Sequence, residues 1–501
     1  MDQAAGLNVA PAQAANGVER IDARAVNSPQ QRSLYKSRDK VYPKLAHGTF
    51  RRLKWLVMLV SLSIYYLTPW IRWERGPDLP NQAVLLDFPG RRFYFFFIEI
   101  WPQEVYYLTG LLILASLILF LVTSLAGRVW CGYACPQTVW TDLFVAVERF
   151  VEGDRNARIK LDRSKMNASK LARKSVKHLI WILIAAATGG AWVFYFDNAP
   201  TLARDLLTLD APFVAYLFIG IFSATTYTLG ALAREQVCTY MCPWPRIQAA
   251  LQDEHSLVVS YHPERGEPRG PHKKNEPWQG RGHCVDCNQC VAVCPAGIDI
   301  RDGQQLECIS CALCIDACNG VMKKVGLPAN LISYDTLAGI EAKADAEAVR
   351  YRFVRPRTVI YAVLIVVVGL VMAGALVSRS DLDLTIQRDR SPLYVALSDG
   401  SIRNGYTLKV LNKNHEAKSF ALRLEGLPGA SLQVIGAQSL EQNATAVLDV
   451  PADKLRSFRV YVTAPPSSAP SGLAQMTFTI EDNDGDSTAS YRGTFRGPGR
   501  E

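Results

Sequence analysis

The apolar residues of this chain are gathered into five long runs, near 53–71, 106–125, 179–196, 212–233 and 358–377. Each approaches the ~20 apolar residues that a helix needs to cross a bilayer, and charge is essentially absent inside them. Trp, Tyr and Arg flank the runs, as at membrane–water boundaries. The pattern predicts five transmembrane helices, with the two termini on opposite sides. From Leu382 the period changes to short alternating runs at 393–397, 406–411, 420–424, 446–450, 458–462 and 476–480. Asn404-Gly405 and Asn483-Asp484-Gly485 read as turns between them. Roughly seven to nine strands in this stretch predict a β-sandwich.

Residues 1–50 are polar, have no clear period and show no apolar core after the first residues. They read as a mostly disordered tail without a signal peptide. Its end and the residues after it are basic: Lys36, Arg38, Lys40, Lys44, Arg51 and Arg52. The loop after the second run is rich in Arg and Lys, from Arg128 to Lys177, whereas the loop after the third has only Arg204. The positive-inside rule then places the N-terminus, 126–178 and 234–357 in the cytoplasm and the C-terminal part outside. The net charge of +9 does not indicate nucleic acid, because the basic residues flank the apolar runs. No G-x-G-x-x-G or Walker sequence is present, so no NAD, Rossmann-flavin or ATP site is expected.

All 12 cysteines fall into four tight groups, a usage that suits cofactor and redox chemistry. Cys284, Cys287, Cys290 and Cys294 are spaced C-x2-C-x2-C-x3-C, and Cys308, Cys311, Cys314 and Cys318 repeat that spacing. Pro295 follows the first quartet, and Asn319 stands at the matching place in the second. This is the spacing of a ferredoxin with two [4Fe–4S] clusters, in which the fourth cysteine of each run serves the other cluster. Cys284, Cys287, Cys290 and Cys318 are thereby assigned to one cluster, and Cys308, Cys311, Cys314 and Cys294 to the other. Zinc sites usually come as separated C-x2-C pairs, and disulfides need an oxidising compartment. Electrons must arrive from a partner, expected to be a cytoplasmic donor.

The remaining cysteines form a second repeat. Val-Trp-Cys131-Gly-Tyr-Ala-Cys135-Pro and Gln-Val-Cys238-Thr-Tyr-Met-Cys242-Pro share C-x-Y-x-C-P, each just past the second span of a pair. At x3 spacing two sulfurs on one face of a helical turn make a site for a soft metal such as Cu(I), or a redox dithiol. Two parallel repeats could bring all four thiols to one place; a buried pair of free cysteines is the plain alternative. His47 and His178 are the only histidines near the spans, which speaks against a b-type haem. His255, His262 and His272 read as solvent-exposed, and His283, beside a quartet cysteine, as a residue that tunes the cluster. Near the aromatic run 93–101, Glu99 and Glu104 are candidates for metal binding or proton relay, with solvated interfacial carboxylates the plainer reading.

The chain resembles the FixG/CcoG (RdxA) family of cytochrome oxidase accessory proteins. The likeness rests on the five spans, the two C-x3-C-P repeats, the paired quartets, the C-terminal sandwich, and strings such as Arg390-Ser391-Pro392-Leu393-Tyr394 and Arg403-Asn404-Gly405-Tyr406. It covers nearly everything from about residue 40 onward. The resemblance implies an α+β membrane protein of the bacterial inner membrane. Its parts are a tail (1–50), four spans with two C-x3-C-P motifs (51–243), a cytoplasmic ferredoxin-like region (244–350), a fifth span (351–378) and a periplasmic immunoglobulin-like domain (379–501). It further implies reduction of Cu(II) to Cu(I) for assembly of cbb3-type cytochrome c oxidase, with Cys131, Cys135, Cys238 and Cys242 handling copper. Oxidase assembly factors, copper chaperones or copper transporters are the implied partners. The alternatives are a quinol-linked ferredoxin subunit feeding a periplasmic reductase, or a non-enzymatic assembly scaffold.

Overall fold

The structure, a computed structural model, describes residues 40–76, 79–272, 278–414, 416–436, 438–440, 445–482 and 487–499. The tail up to residue 39 and the turn Asn483-Asp484-Gly485 lie outside the described residues. Five helices are long and apolar enough to cross a membrane: Thr49–Trp70 (α1), Pro102–Ala126 (α2), Ala168–Val193 (α3), Phe213–Leu232 (α4) and Pro356–Val377 (α5). Protein covers 11% of the apolar windows of α1, α2 and α4 and none of that of α5, against 39% for α3. Uncovered apolar surface of this length is stable only against lipid, so the chain is a membrane protein.

The described residues form two compact units, one within Met1–Val60, Ala126–Ala185 and Ala224–Tyr351, the other within Ser61–Leu125, Ala186–Ser223 and Arg352–Glu501. All 12 cysteines belong to the first unit.

In the first unit, Pro136 opens the helix Pro136–Glu152, where its missing N–H is not needed, and Gly153 ends it with φ 88°. The apolar stripe of this helix buries Phe144 against Trp181 and Ala231. Its last two turns carry Glu148, paired with Arg158 at 2.7 Å and Arg234 at 2.8 Å, and Glu152, paired with Lys174 at 3.0 Å and Lys177 at 2.9 Å. Burial opposes ionisation of Glu148, but the two guanidiniums and Lys177 outweigh it and hold the carboxyl below its usual range. Arg158, Lys174 and Lys177 of the basic loop after the second apolar run are thus engaged in ion pairs.

Residues 40–48, at the end of the polar N-terminal stretch, are tied down as an extended strap. The Lys44 amide donates to Ala292 O at 2.8 Å, the Tyr42 hydroxyl to Asp162 at 2.7 Å, and Arg158 to Pro43 O at 2.6 Å. Strands Val258–Tyr261 and Ile332–Asp335 pair antiparallel over a core of Val259, Ile315, Met322, Leu331 and Ile332.

In the second unit, Val84–Asp87, Arg92–Phe95 and Ile98–Ile100 form a small antiparallel sheet from the aromatic run. Glu99 and Glu104 are buried, not solvated. Glu104, 3% exposed, forms an ion pair with Arg379 at 2.9 Å and accepts from Lys413 at 2.8 Å and from the Trp101 amide at 3.2 Å. Two cations and a backbone donor make burial of this carboxylate tolerable, and they use it as a structural pin.

The sandwich packs two antiparallel sheets. One has Ser431–Ile435, Lys454–Ala464, Ile402–Asn412 and Leu382–Arg388 in that order, with Val395–Ala396 on Ile402–Asn412. The other runs Gln438–Leu440, Thr445–Val450, Lys418–Glu425, Leu473–Asp482, Thr488–Arg496. Alternate residues such as Leu408, Phe420, Val460 and Phe478 fill the core between them. The Asn404-Gly405 turn is corrected: both residues lie inside the strand Ile402–Asn412. The Asn404 amide bridges the sheets by exchanging hydrogen bonds with Arg496 O (2.8 Å) and Arg496 N (3.0 Å). Gly405 leaves room for Asp389, whose Oδ1 accepts from Arg459 at 2.8 Å.

Candidate functional site

The two quartets build the same local loop. Asp286 and Asn288 in the first, and Ser310 and Ala312 in the second, all have φ between 52° and 60°. Each pair stands two and four positions after its first cysteine, so the chain turns inward twice before the helices Gln289–Val293 and Leu313–Lys324 begin. Asp and Asn tolerate this left-handed region, whereas Ala312 has no polar side chain to help and is held there by complete burial.

The fold then brings cysteines of different quartets together. Cys284, Cys287, Cys290 and Cys318 line one cavity. Cys294, Cys308, Cys311 and Cys314 line a second, and Cys290 lines both. The remaining walls are mainly apolar, including Tyr261, Val285, Met322 and Ile332 around the first and Val259, Ile298, Ile300 and Ala312 around the second. Burial pushes the thiol of Cys290 up to about 11 and those of Cys294 and Cys318 to about 12. Backbone N–H groups of Ile298 and Ala296 pull the other way at Cys294, and that of Ser310 does so at Cys308. Four sulfurs around a small apolar cavity, with amides aimed at them, fit an iron–sulfur cluster, whose iron keeps coordinating thiols deprotonated.

Three of the four terminal cysteines precede proline: Cys135, Cys242 and Cys294 have ψ of 129°, 121° and 123°. Proline crowds the preceding residue out of the helical region. Cys131 therefore lies in the turn Val129–Tyr133, but Cys135 is already outside it and caps the next helix. Likewise Cys238 lies in the wide turn Val237–Met241, and Cys242 ends it in an extended conformation. The expected single helical turn carrying both sulfurs is thus broken at its second cysteine in each pair. Cys318 is followed by Asn319 and stays inside its helix, and the Asn319 carboxamide accepts from the Asn330 amide at 2.7 Å.

The two C-x3-C-P pairs come within electrostatic reach of each other. Burial raises the Cys131 thiol to about 12, and Cys135, Cys238 and Cys242 add to the rise. Cys238 is raised to about 11 by burial, then by Cys135 and Cys242. Among the described residues, no three His, Cys, Asp or Glu side chains stand close enough to hold one metal ion. The Cys131 thiol donates to Gln248 Oε1 at 3.0 Å, on the helix Trp244–Leu251. A cavity of about 90 Å³ runs from Cys238, Glu235 and Arg234 to Val293, Pro295, Ala296 and Ile309 of the quartets.

The first pair also sits directly on the second quartet. A Cβ on Gly132 would come within 2.6 Å of Ile309 O and 3.0 Å of Cys311 Cα. The Tyr133 hydroxyl donates to Cys311 O at 3.2 Å, and Tyr334 to Ser310 O at 2.6 Å. Asp316, between Cys314 and Cys318, accepts from the amides of Phe50 (3.3 Å) and Arg51 (2.8 Å) and so caps the first turn of α1. Sequence reasoning missed Asp316, Gln248 and Tyr334, which carry no local signal. The one available hint was the inequality of the repeats, Gly132 against Thr239.

Of the histidines read as exposed, His262 is corrected: it is 4% exposed, with Ser333 Oγ at 2.7 Å and the Glu264 carboxylate at 3.2 Å. Strand pairing buries it on the sheet that flanks the quartets. His255 and His272 are half-buried, and His272 stacks on Trp278 with ring centroids 3.9 Å apart. His283 accepts at Nδ1 from Arg265 at 3.0 Å.

Family models match three stretches of the chain. Residues 233–337 match a 4Fe–4S dicluster domain, 108–151 a 4Fe–4S binding domain, and 372–498 the immunoglobulin-like fold at the C-terminus of FixG, described as a putative oxidoreductase. The nitrogen fixation protein FixG of Rhizobium meliloti is 51% identical over 96% of this chain and 97% of its own length. The chain belongs to the FixG/RdxA family. RdxB of Cereibacter sphaeroides, 52% identical over 87% of this chain and 91% of its own, and RdxA of the same organism, 48% identical over 93% and 98%, extend that likeness. As a FixG/RdxA-family member with 4Fe–4S domains and five apolar helices, the chain is a membrane-associated iron–sulfur electron-transfer protein.

Proposed function

We propose that the chain reduces Cu(II) to Cu(I) for the copper centres of a cbb3-type oxidase, with Cys131, Cys135, Cys238 and Cys242 as the thiols that receive the ion. The supporting observation is the contact of the first C-x3-C-P pair with the second quartet through Gly132 and Tyr133. In this reading Cys284, Cys287, Cys290 and Cys318 hold one [4Fe–4S] cluster, and Cys294, Cys308, Cys311 and Cys314 the other. When bound, such clusters supply electrons one at a time, which is the stoichiometry of Cu(II) reduction. Thiolates are soft and prefer Cu(I), so each C-x3-C-P pair favours the reduced product. The quartets and both pairs face the cytoplasm, on the charge asymmetry of the loops, and the sandwich faces the periplasm.

The test is anaerobic stopped-flow with dithionite-reduced protein and Cu(II), following bleaching of the iron–sulfur absorbance and trapping Cu(I) with a chelator. Native protein is expected to reoxidise with a matching Cu(I) yield, and a Cys131→Ser/Cys135→Ser variant to react at least an order of magnitude more slowly. Equal, slow reaction of both would remove copper as substrate and favour a quinol-linked electron-transfer role.

A further inference from the structure

Arg128 stands at the exit of α2, three residues before Cys131, and is 5% exposed. Nη1 donates to Leu306 O, just ahead of the second quartet, while Nε is buried without a hydrogen-bond partner among the described residues. No carboxylate pairs with this guanidinium among the described residues, whereas buried Arg51 has Asp142, and buried Arg158 and Arg234 have Glu148. Leu306 stands two residues before Cys308, and Arg128 itself three before Cys131, so this buried cation is held between the second quartet and the first C-x3-C-P pair. Its charge opposes the effect of burial on the nearby thiols. Gly132 and Tyr133, in the following turn, bring the backbone of that turn onto Cys311.

The first quartet has a different neighbourhood. Arg301 lines its cavity but is paired with Asp286 and Asp299, and Arg265 donates at 3.0 Å to His283, the residue before Cys284. Cys287 of this quartet is exposed.

We propose that Arg128 is a positioning residue whose charge sets the reduction potential of the centre held by Cys294, Cys308, Cys311 and Cys314, making that centre the one in electronic contact with the C-x3-C-P thiols. The inference rests on the iron–sulfur assignment and not on copper. A net positive charge beside a cluster favours its reduced, more negative state, and buried charge is weakly screened. The centre of the first quartet, with exposed Cys287, is then the side that meets an external electron donor.

The test is an anaerobic redox titration of the full chain in detergent, read by electron paramagnetic resonance, with iron and acid-labile sulfide measured alongside and no copper present. Arg128→Gln should lower the midpoint potential of one of the two centres and leave the other in place, with iron content unchanged. Arg128→Lys should restore most of the shift. Arg265→Gln should lower the other centre. Equal shifts of both centres by Arg128→Gln, no shift of either, or a shift of the same centre as Arg265→Gln would overturn the proposal. Should Arg128→Gln lose iron, Arg128→Lys decides. A native-like potential sustains the charge role, and a fall to the level of a lost charge rejects it. Protein that shows the split response yet fails to reduce copper would sink the copper reading and leave this one standing.

Discussion

Two segments of this chain carry the same cysteine spacing and end differently. In the first quartet Cys294 precedes Pro295, leaves the helix Gln289–Val293 at once and turns extended with ψ 123°. In the second, Cys318 precedes Asn319 and the helix runs on to Lys324. The spacing dictates the loop that presents three sulfurs, and the residue after the fourth dictates where the chain goes next. The extra turns of the second helix carry Asn319 and Met322, which reach Asn330 and the strand-lined core. The same helix presents Asp316 to the start of α1. The first quartet therefore holds the strap at 40–48 through Ala292, while the second anchors the first span through Asp316.

The largest expected effect tests the crossing of the quartets. Cys318→Ser should abolish the same spectroscopic centre as Cys284→Ser, and Cys294→Ser the same centre as Cys308→Ser, each with loss of about half the iron. Loss of the centre local to the mutated run in each case would show that the quartets are not crossed.

Next comes the residue after each fourth cysteine. Asn319→Pro puts a proline inside a helix and should cost about 3 kcal/mol, measured by denaturant unfolding of the purified protein. Pro295→Ala, at a site already outside its helix, should cost about 1 kcal/mol or less. Similar losses would mean that the two ends are more alike than their backbones suggest.

The two C-x3-C-P repeats permit a parallel contrast. Gly132→Ala forces a Cβ against Ile309 O and should cost about 1–3 kcal/mol by overpacking. Thr239→Ala, at the equivalent place in the second repeat, should stay within about 0.5 kcal/mol. Thermal unfolding of both variants measures the difference.

The smallest effect concerns the sheet behind the second quartet, whose Tyr334 holds Ser310 O. Burial lowers the affinity of His262 for a proton below its ordinary 6.5, with the Lys343 charge adding to it and Glu264 and Asp335 opposing. The unfolded chain takes up the proton first as pH falls. Stability should therefore be full above about pH 6.5 and decline as pH drops through the folded value. Unfolding midpoints measured between about pH 7.5 and 5.5 should slope for native protein and flatten for His262→Asn.

Signals that depend on near neighbours in the chain were legible. The five apolar runs became five helices, because a helix satisfies its own backbone and needs no distant partner. The alternation after Leu382 became a sandwich whose core is made by those same alternating residues. Asn404-Gly405 misled because an Asn-Gly pair is a hairpin signal only while its side chain has nothing better to do. Here the Asn404 amide is spent on the opposite sheet. The polar stretch at 40–48 misled because it has no period, and it is held by residues such as Asp154, Asp162, Arg158 and Ala292, more than a hundred residues away. Glu104 and His262 looked solvated for the same reason, since their partners Arg379, Lys413 and Ser333 lie far along the chain.

By itself the sequence determined which residues could meet iron and where helices must stop, because cysteine spacing and the Cys-Pro step act within a few peptide units. It also determined the spans, because lipid demands length and apolarity and little else. Tertiary structure alone decided which cysteines share a cavity, that the turn of Gly132 and Tyr133 rests on Cys311, and that buried Arg128 bonds the chain just ahead of the second quartet. Those outcomes depend on packing between segments with no local code for one another, and on burial, which turns ordinary charges into strong ones.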